Sequence, residues 1–212
     1  MAELGFWNFA QQAPEKLALV DPSGREWSRG ELLAAANQIA HGLRALGLGR
    51  GDCVAVVLEN CAEMYQINLA IMQIGLYMTP INNHLTGPEI AFIVKDSGAK
   101  VFVGSERFAE ACKAAREEID LPSSMCFSLG SVEGFRPFAE LGEGQSSEMP
   151  ESRTTGQVMN YTSGTTGKPK GVRRPLPEIA PEIIATLTAS FLNMFGLQPE
   201  DDNVHICGSP LY

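Results

Sequence analysis

Positive charge is in short supply in this sequence. Its 212 residues carry 16 basic and 25 acidic side chains, a formal net charge of −9. A sequence-independent grip on nucleic acid, or on an anionic membrane surface, needs grouped cations, so both partner classes are set aside. A small anion is still a possible ligand, because a nest of backbone N–H groups can hold one in an acidic protein. Paired cysteines are missing as well. Cys53, Cys61, Cys112, Cys126 and Cys207 form an odd set, and no two have the two-residue spacing of a zinc or redox motif. They read as free thiols in a reducing compartment. His41, His84 and His205 lie far apart and suggest packing or surface roles, so no metal-ligand set is assigned. No secretion signal is expected: Glu3 stands where positive charge belongs, and no apolar core follows. A transmembrane segment is lacking too. The longest apolar helix candidate, 183–197, is shorter than the ~20 residues a span needs, and Asn193 and two threonines interrupt it. The expectation is a cytoplasmic protein. No internal repeat is visible.

Apolar residues make up 44% of the chain, enough for a sizeable core. Leu17 to Asp21 and Arg25 to Ser28 flank Pro22-Ser23-Gly24 and predict a hairpin. Ser28-Arg29-Gly30-Glu31 has the form of a capping box, and Leu32, Ala36, Ile39, Leu43 and Leu46 follow at helical spacing. Cys53 to Leu58 is a continuous apolar run, as expected of a strand covered on both faces. Asn60 is placed to cap a second helix carrying Met64, Ile67, Ile71 and Ile74. A strand from Tyr77 to Ile81 follows, then a capping box at Thr86 to Glu89 with a third helix. Next come a strand from Lys100 to Val103 and a helix from Ser105 to Ile119. Such alternation predicts an α/β fold with a largely parallel sheet and helices on both faces. From about 130 to 155 Gly, Ser, Glu and Pro dominate, and a surface connection with little regular structure is expected. A strand from Gln157 to Thr162, a helix from about Pro177 to Phe195 and a last strand from Val204 to Cys207 complete the reading.

Residues 161–171 read Tyr-Thr-Ser-Gly-Thr-Thr-Gly-Lys-Pro-Lys-Gly. The stretch has the chemistry of an oxyanion cradle. Gly164 and Gly167 let backbone N–H groups approach an anion. Thr162, Ser163, Thr165 and Thr166 offer hydroxyl donors, and Lys168 and Lys170 add charged ones. A loop that follows a buried strand lies at its carboxyl end, where open α/β sheets bind ligands. The spacing is not that of a Walker A loop, since only Thr165 and Thr166 separate the two glycines. Composition alone leaves a flexible polar linker open.

This stretch resembles the phosphate-binding loop of the adenylate-forming (AMP-binding) superfamily, which includes acyl-CoA synthetases, luciferases and peptide-synthetase adenylation domains. Gly51-Asp52 with Leu58-Glu59-Asn60, the segment from Gly75 to Glu89, and Gly208 to Tyr212 are also similar to family segments. The match is weakest from Phe108 to Gln157. Two positions depart from it: Arg173-Arg174-Pro175 replaces an apolar stretch with a histidine, and His84 stands where related synthetases often have Arg.

The resemblance implies an incomplete N-terminal AMP-binding domain over 1–212. It implies that Thr162, Ser163, Gly164, Thr165 and Thr166 hold the β- and γ-phosphates of ATP. Lys170 would be the main cation, with Gly167 and Lys168 also in the loop. It further implies a small-molecule carboxylic acid, of fatty type as first guess, as substrate, with ATP, Mg²⁺ and CoA. The adenine and ribose contacts, the magnesium glutamate and the catalytic lysine would lie beyond Tyr212, so the 212 residues alone are expected to be inactive. Apolar residues within 183–212 would then lose cover and favour self-association. Two other readings remain: a non-catalytic nucleotide- or anion-binding module, and an adenylation enzyme whose acceptor is a carrier-protein thiol or oxygen.

Overall fold

The computed structural model describes residues 4–162, 169–198, 201 and 203–212. A short helix α1 (Phe6–Gln12) leads to the hairpin β1 (Leu17–Val20) and β2 (Glu26–Ser28). The capping box forms as the sequence predicts. Glu31 Oε2 accepts the Ser28 N–H at 2.8 Å, Ser28 Oγ accepts the Glu31 N–H, and α2 (Arg29–Ala45) starts there. Three β–α units then follow in order: β3 (Cys53–Val56) with α3 (Ala62–Gln73), β4 (Tyr77–Pro80) with α4 (Gly87–Ser97), and β5 (Ala99–Ser105) with α5 (Ala109–Glu118). After them come β6 (Cys126–Leu129), β7 (Arg136–Pro137), β8 (Gln157–Val158), β9 (Tyr161–Thr162), β10 (Lys170–Gly171) and α6 (Pro181–Leu192).

Six strands make one parallel sheet in the order β7-β6-β5-β3-β4-β8. Its two layers follow from strand alternation. Val54, Val56 and Leu58 point into the core with Ile39, Leu43, Ile67 and Ile71 of α2 and α3. Cys53, Ala55 and Val57 point the other way, into the core with Ile90, Ile93 and Ala115 of α4 and α5. Every residue of β3 is buried, which is why its sequence is apolar at consecutive positions. Truncating one of the fully buried isoleucines, such as Ile67 or Ile71, to alanine would remove roughly 2–5 kcal/mol. Because β4 lies on one side of β3 and β5 on the other, the chain reverses direction across the sheet at β3. A crevice therefore opens beyond the carboxyl ends of β3 and β5.

Stretch 130–155 contains little regular structure, but it is pinned. Phe138 and Leu141, in a single 3₁₀ turn, are buried in the core beneath α2 and α3. At Gly42 the helix backbone meets the Leu141 carbonyl so closely that a Cβ would lie 1.6 Å from that oxygen. Further on, α2 supplies the polar partners that secondary structure does not. Asn37 Nδ2 donates to Ser147 O at 2.8 Å, the His41 ring to Glu148 O, and Arg44 Nη1 to Glu151 O at 2.7 Å. These residues share one face of the helix, so one side-chain row satisfies a run of otherwise orphaned carbonyls.

Four expectations are corrected here. Strand β6 and the edge strand β7 were not foreseen; Pro137 in β7 fits an edge, where a missing N–H does no harm. The strand expected from Gln157 to Thr162 is two: β8 joins the main sheet, and β9 leaves it to pair with β10. Helix α6 starts at Pro181, four residues late, because Pro181 favours the first helical turn. Residues 204–207 form no strand. Val204 and Ile206 lie exposed with no strand beside them, and β-branched residues become a strand only when one is there to pair with. Among the described residues, no helix is long and apolar enough to cross a membrane.

Candidate functional site

Strand β8 pairs with β4 (Tyr77↔Gln157, Met78↔Val158), and the Met159 N–H continues the ladder to Met78 O. The approach is possible because residue 156 is glycine: a Cβ there would fall 2.5 Å from Ile71 O and 2.6 Å from Leu76 O. Past Met159 the chain turns out of the sheet. Tyr161 and Thr162 pair antiparallel with Gly171 and Lys170, and the Val172 N–H closes on Asn160 O at 2.9 Å.

Thr162 and Lys170 face each other across this hairpin, both exposed. No carboxylate among the described residues pairs with Lys170. Ser163, Gly164, Thr165, Thr166, Gly167 and Lys168 lie outside the described residues. The hairpin therefore presents one hydroxyl and, among the described residues, one unpaired ammonium side by side just past β8, a pairing suited to an anion.

Both strands of the hairpin are tied back. Tyr161 Oη donates to Asp96 Oδ2, 2.7 Å away in the last turn of α4. Burial first, and then this bond to a carboxylate, push the Tyr161 hydroxyl above the usual phenol range, so it stays a donor. Beyond β10 the chain runs back toward the amino ends of β3 and β4. Arg173 stacks over the Tyr77 ring, 4.4 Å from its centroid, and donates to Gly51 O. Tyr77 Oη donates to Arg174 O, Gln157 Nε2 to Pro175 O at 3.1 Å, and Arg50 Nη2 to Leu176 O at 2.8 Å. Asp52 sits beside this strap. Burial works to raise its carboxyl, but the Gly49 N–H, Lys100 and Arg173 together hold it below its ordinary value.

A second feature does lie at the carboxyl end of the sheet. An open cleft of about 640 Å³ extends beyond the carboxyl ends of β3, β4 and β5, lined among others by Glu59, His84, Arg107 and Tyr212. Asn60 closes one side of it. Its Nδ2 donates to Ser209 O at 2.9 Å and its Oδ1 accepts the Leu211 N–H at 3.0 Å, so the amide clasps segment 209–211. The expected role of Asn60 as cap of α3 is thus corrected: Cys61 occupies the cap position, and the amide serves a segment 150 residues away. All five cysteines are free. Burial pushes the Cys61 thiol up to about 12 and the Cys112 thiol up to about 11, so neither supplies a thiolate near neutrality. Among the described residues no three His, Cys, Asp or Glu side chains gather as a metal site.

The model of the AMP-binding enzyme family matches residues 6–212. The chain belongs to the AMP-binding enzyme family. Long-chain-fatty-acid–CoA ligase FadD13 of Mycobacterium tuberculosis is 33% identical over 173 residues, covering 78% of this chain and 34% of that protein. Surfactin synthase subunit 2 of Bacillus subtilis is 36% identical over 170 residues, 77% of this chain and 4% of that one. Among solved structures, the N-terminal domain of FACL13 from Mycobacterium tuberculosis superposes with a TM-score of 0.63 at 31% identity, covering 80% of this chain and 44% of that one. Anthranilate CoA ligase AuaEII, solved with anthranoyl-AMP, gives a TM-score of 0.70 at 25% identity over 90% of this chain and 37% of that one. The chain spans about a third of the length of the CoA ligases it matches.

Within the family frame, the departure at Arg173-Arg174-Pro175 has a structural account. These residues form the strap across the amino ends of β3 and β4. His84, the other departure, is exposed on the rim of the cleft. Three contributing residues were missed by the sequence reading: Tyr161, Asp96 and the clasp function of Asn60. A signal for Asp96 did exist. An acid in the last turn of a helix opposes the macrodipole, which invites a search for its partner.

Proposed function

We propose that the chain is the N-terminal part of an AMP-forming acyl-CoA ligase, and that residues 161–171 bind the phosphates of ATP. The observation that carries this reading is the YTSGTTGKPKG stretch, with Thr162 and Lys170 exposed and opposed on the hairpin that follows β8. In the intact enzyme a carboxylate oxygen of the substrate attacks the α-phosphorus of ATP, forming an acyl-adenylate and expelling pyrophosphate. The CoA thiol then attacks the acyl carbonyl and AMP leaves. The loop residues Thr162, Ser163, Gly164, Thr165, Thr166, Gly167, Lys168 and Lys170 supply donors that offset the charge developing on the departing pyrophosphate. Mg²⁺ would neutralise the same oxygens; none of its ligands is assigned to this chain. A fatty acid is the favoured substrate, as the name of the FadD13 relative suggests, and the cytoplasm the favoured location.

The similarity to surfactin synthase supports one second reading, in which a carrier-protein thiol replaces CoA. A panel of carboxylic acids offered with ATP, Mg²⁺ and CoA decides between them. Acyl-CoA should form with the intact enzyme, best with a fatty acid, and none should form with residues 1–212 alone. Adenylate without thioester would favour the carrier-protein reading, and turnover by residues 1–212 would overturn their assignment as an incomplete site.

We also expect residues 1–212 to self-associate through 183–212. In α6 only Pro181 is buried, while Leu187, Phe191 and Ile206 are 60%, 56% and 92% exposed. Large apolar side chains exposed to this extent are uncommon on stable monomers when they gather into a patch. Light scattering after size exclusion should report a mass above 22.9 kDa that rises with concentration. A monomer at high concentration that binds no apolar dye would show that these side chains need no cover.

A further inference from the structure

We propose that Asp96 and Tyr161 form a latch that positions Thr162 and Lys170 for the terminal phosphates of ATP. The inference rests on the reading of residues 161–171 given under Proposed function and adds two residues to it, neither of which touches substrate.

Strands β9 and β10 make two residue pairs and lie outside the main sheet. A two-stranded ribbon this short has no stability of its own in water, so an outside contact must set where its side chains point. Side chains alternate along a strand. Tyr161 and Gly171 form the inward pair, and Thr162 and Lys170 the outward, exposed pair. Fixing the inward pair therefore fixes the outward one. Gly171 leaves room for the Tyr161 ring: a Cβ there would lie 2.8 Å from Tyr161 Cζ. The ring packs against the core formed with α4 and α5, and its hydroxyl ends on Asp96 at 2.7 Å. Asp96 stands where the dipole of α4 disfavours an anion, so the helix gains nothing from it. What it supplies is the acceptor that stops the Tyr161 ring from rotating away, and with it the ribbon.

In the intact enzyme, Tyr161→Phe and Asp96→Ala should each raise the KM for ATP about 5-fold, the weight of one partly exposed hydrogen bond. The KM for the carboxylic acid should stay unchanged. The double variant should be no worse than either single one, because both break the same bond. Asp96→Asn keeps an acceptor and should restore most of the affinity. Lys170→Ala, run in parallel, tests phosphate binding separately from the latch. Wild-type exchange by Lys170→Ala would remove the phosphate reading itself. An impaired Lys170→Ala beside a Tyr161→Phe with wild-type KM for ATP would remove the latch alone. Equal rises in both KM values, or additive losses in the double variant, would also overturn it, since a general weakening of the fold does not single out ATP. Should Tyr161→Phe fail to fold, the comparison of Asp96→Ala with Asp96→Asn carries the test.

Discussion

Arg153→Ala should lower the stability of residues 1–212 by about 3–5 kcal/mol, the cost of breaking a largely buried ion pair from one side. Arg153 and Glu182 form a salt bridge with 14% and 24% of their side-chain surfaces exposed. The guanidinium does more than pair. Its Nε donates to Gln73 Oε1 at 3.1 Å, Gln73 Nε2 donates to Asn37 Oδ1 at 3.0 Å, and Asn37 donates to Ser147 O. Gln73 and Asn37 are buried, so removing Arg153 strands an acceptor inside the protein as well as the Glu182 carboxylate. The same chain of bonds joins α2, α3, segment 145–153 and α6, and Thr155 holds α6 nearby by donating twice to Ile179 O. A urea titration should show the midpoint falling by roughly 1.5 M or more for a domain of this size. A shift below about 0.3 M would place the pair among exposed ion pairs that contribute little.

Lys170→Ala in the intact enzyme should slow ATP–pyrophosphate exchange at least about 10²-fold, and Thr165→Ala should cost a comparable factor. Each change removes a donor to the leaving pyrophosphate, and the lysine change also removes a charge. That factor corresponds to about 2.7 kcal/mol of transition-state stabilisation. Lys170 is exposed and has no salt-bridge partner among the described residues, so its loss should leave the melting temperature where it was. Activity and stability thus separate at Lys170, whereas at Arg153 they fall together. Wild-type exchange rates for both variants would mean that the hairpin is not where phosphate binds.

Much of the sheet was legible because its signals are local. The Ser28–Glu31 box, the Thr86–Glu89 pair and the unbroken apolar run of β3 each declare an element within a few residues, and the alternation of such elements implies a parallel sheet. What escaped depends on partners distant in sequence. Strand β6 is four residues long, and its pairing with β5 decides its state. Residues 204–207 have the composition of a strand and no partner, while Asn60 has the chemistry of a cap and spends it on the backbone of 209–211. At the candidate site the motif itself was plain. The hairpin that carries it was not, because the break at Met159–Asn160 follows from where β4 ends, not from the residues there.

The central claim is that the hairpin bearing Thr162 and Lys170 holds the phosphates of ATP while a carboxylic acid is adenylated. Its most direct test is ATP–pyrophosphate exchange by the intact enzyme, measured while the acid is titrated. Exchange should be absent without acid, should rise and saturate with a fatty acid in the absence of CoA, and should collapse in Lys170→Ala. Exchange that needs no acid, or that no carboxylic acid elicits, would contradict the account.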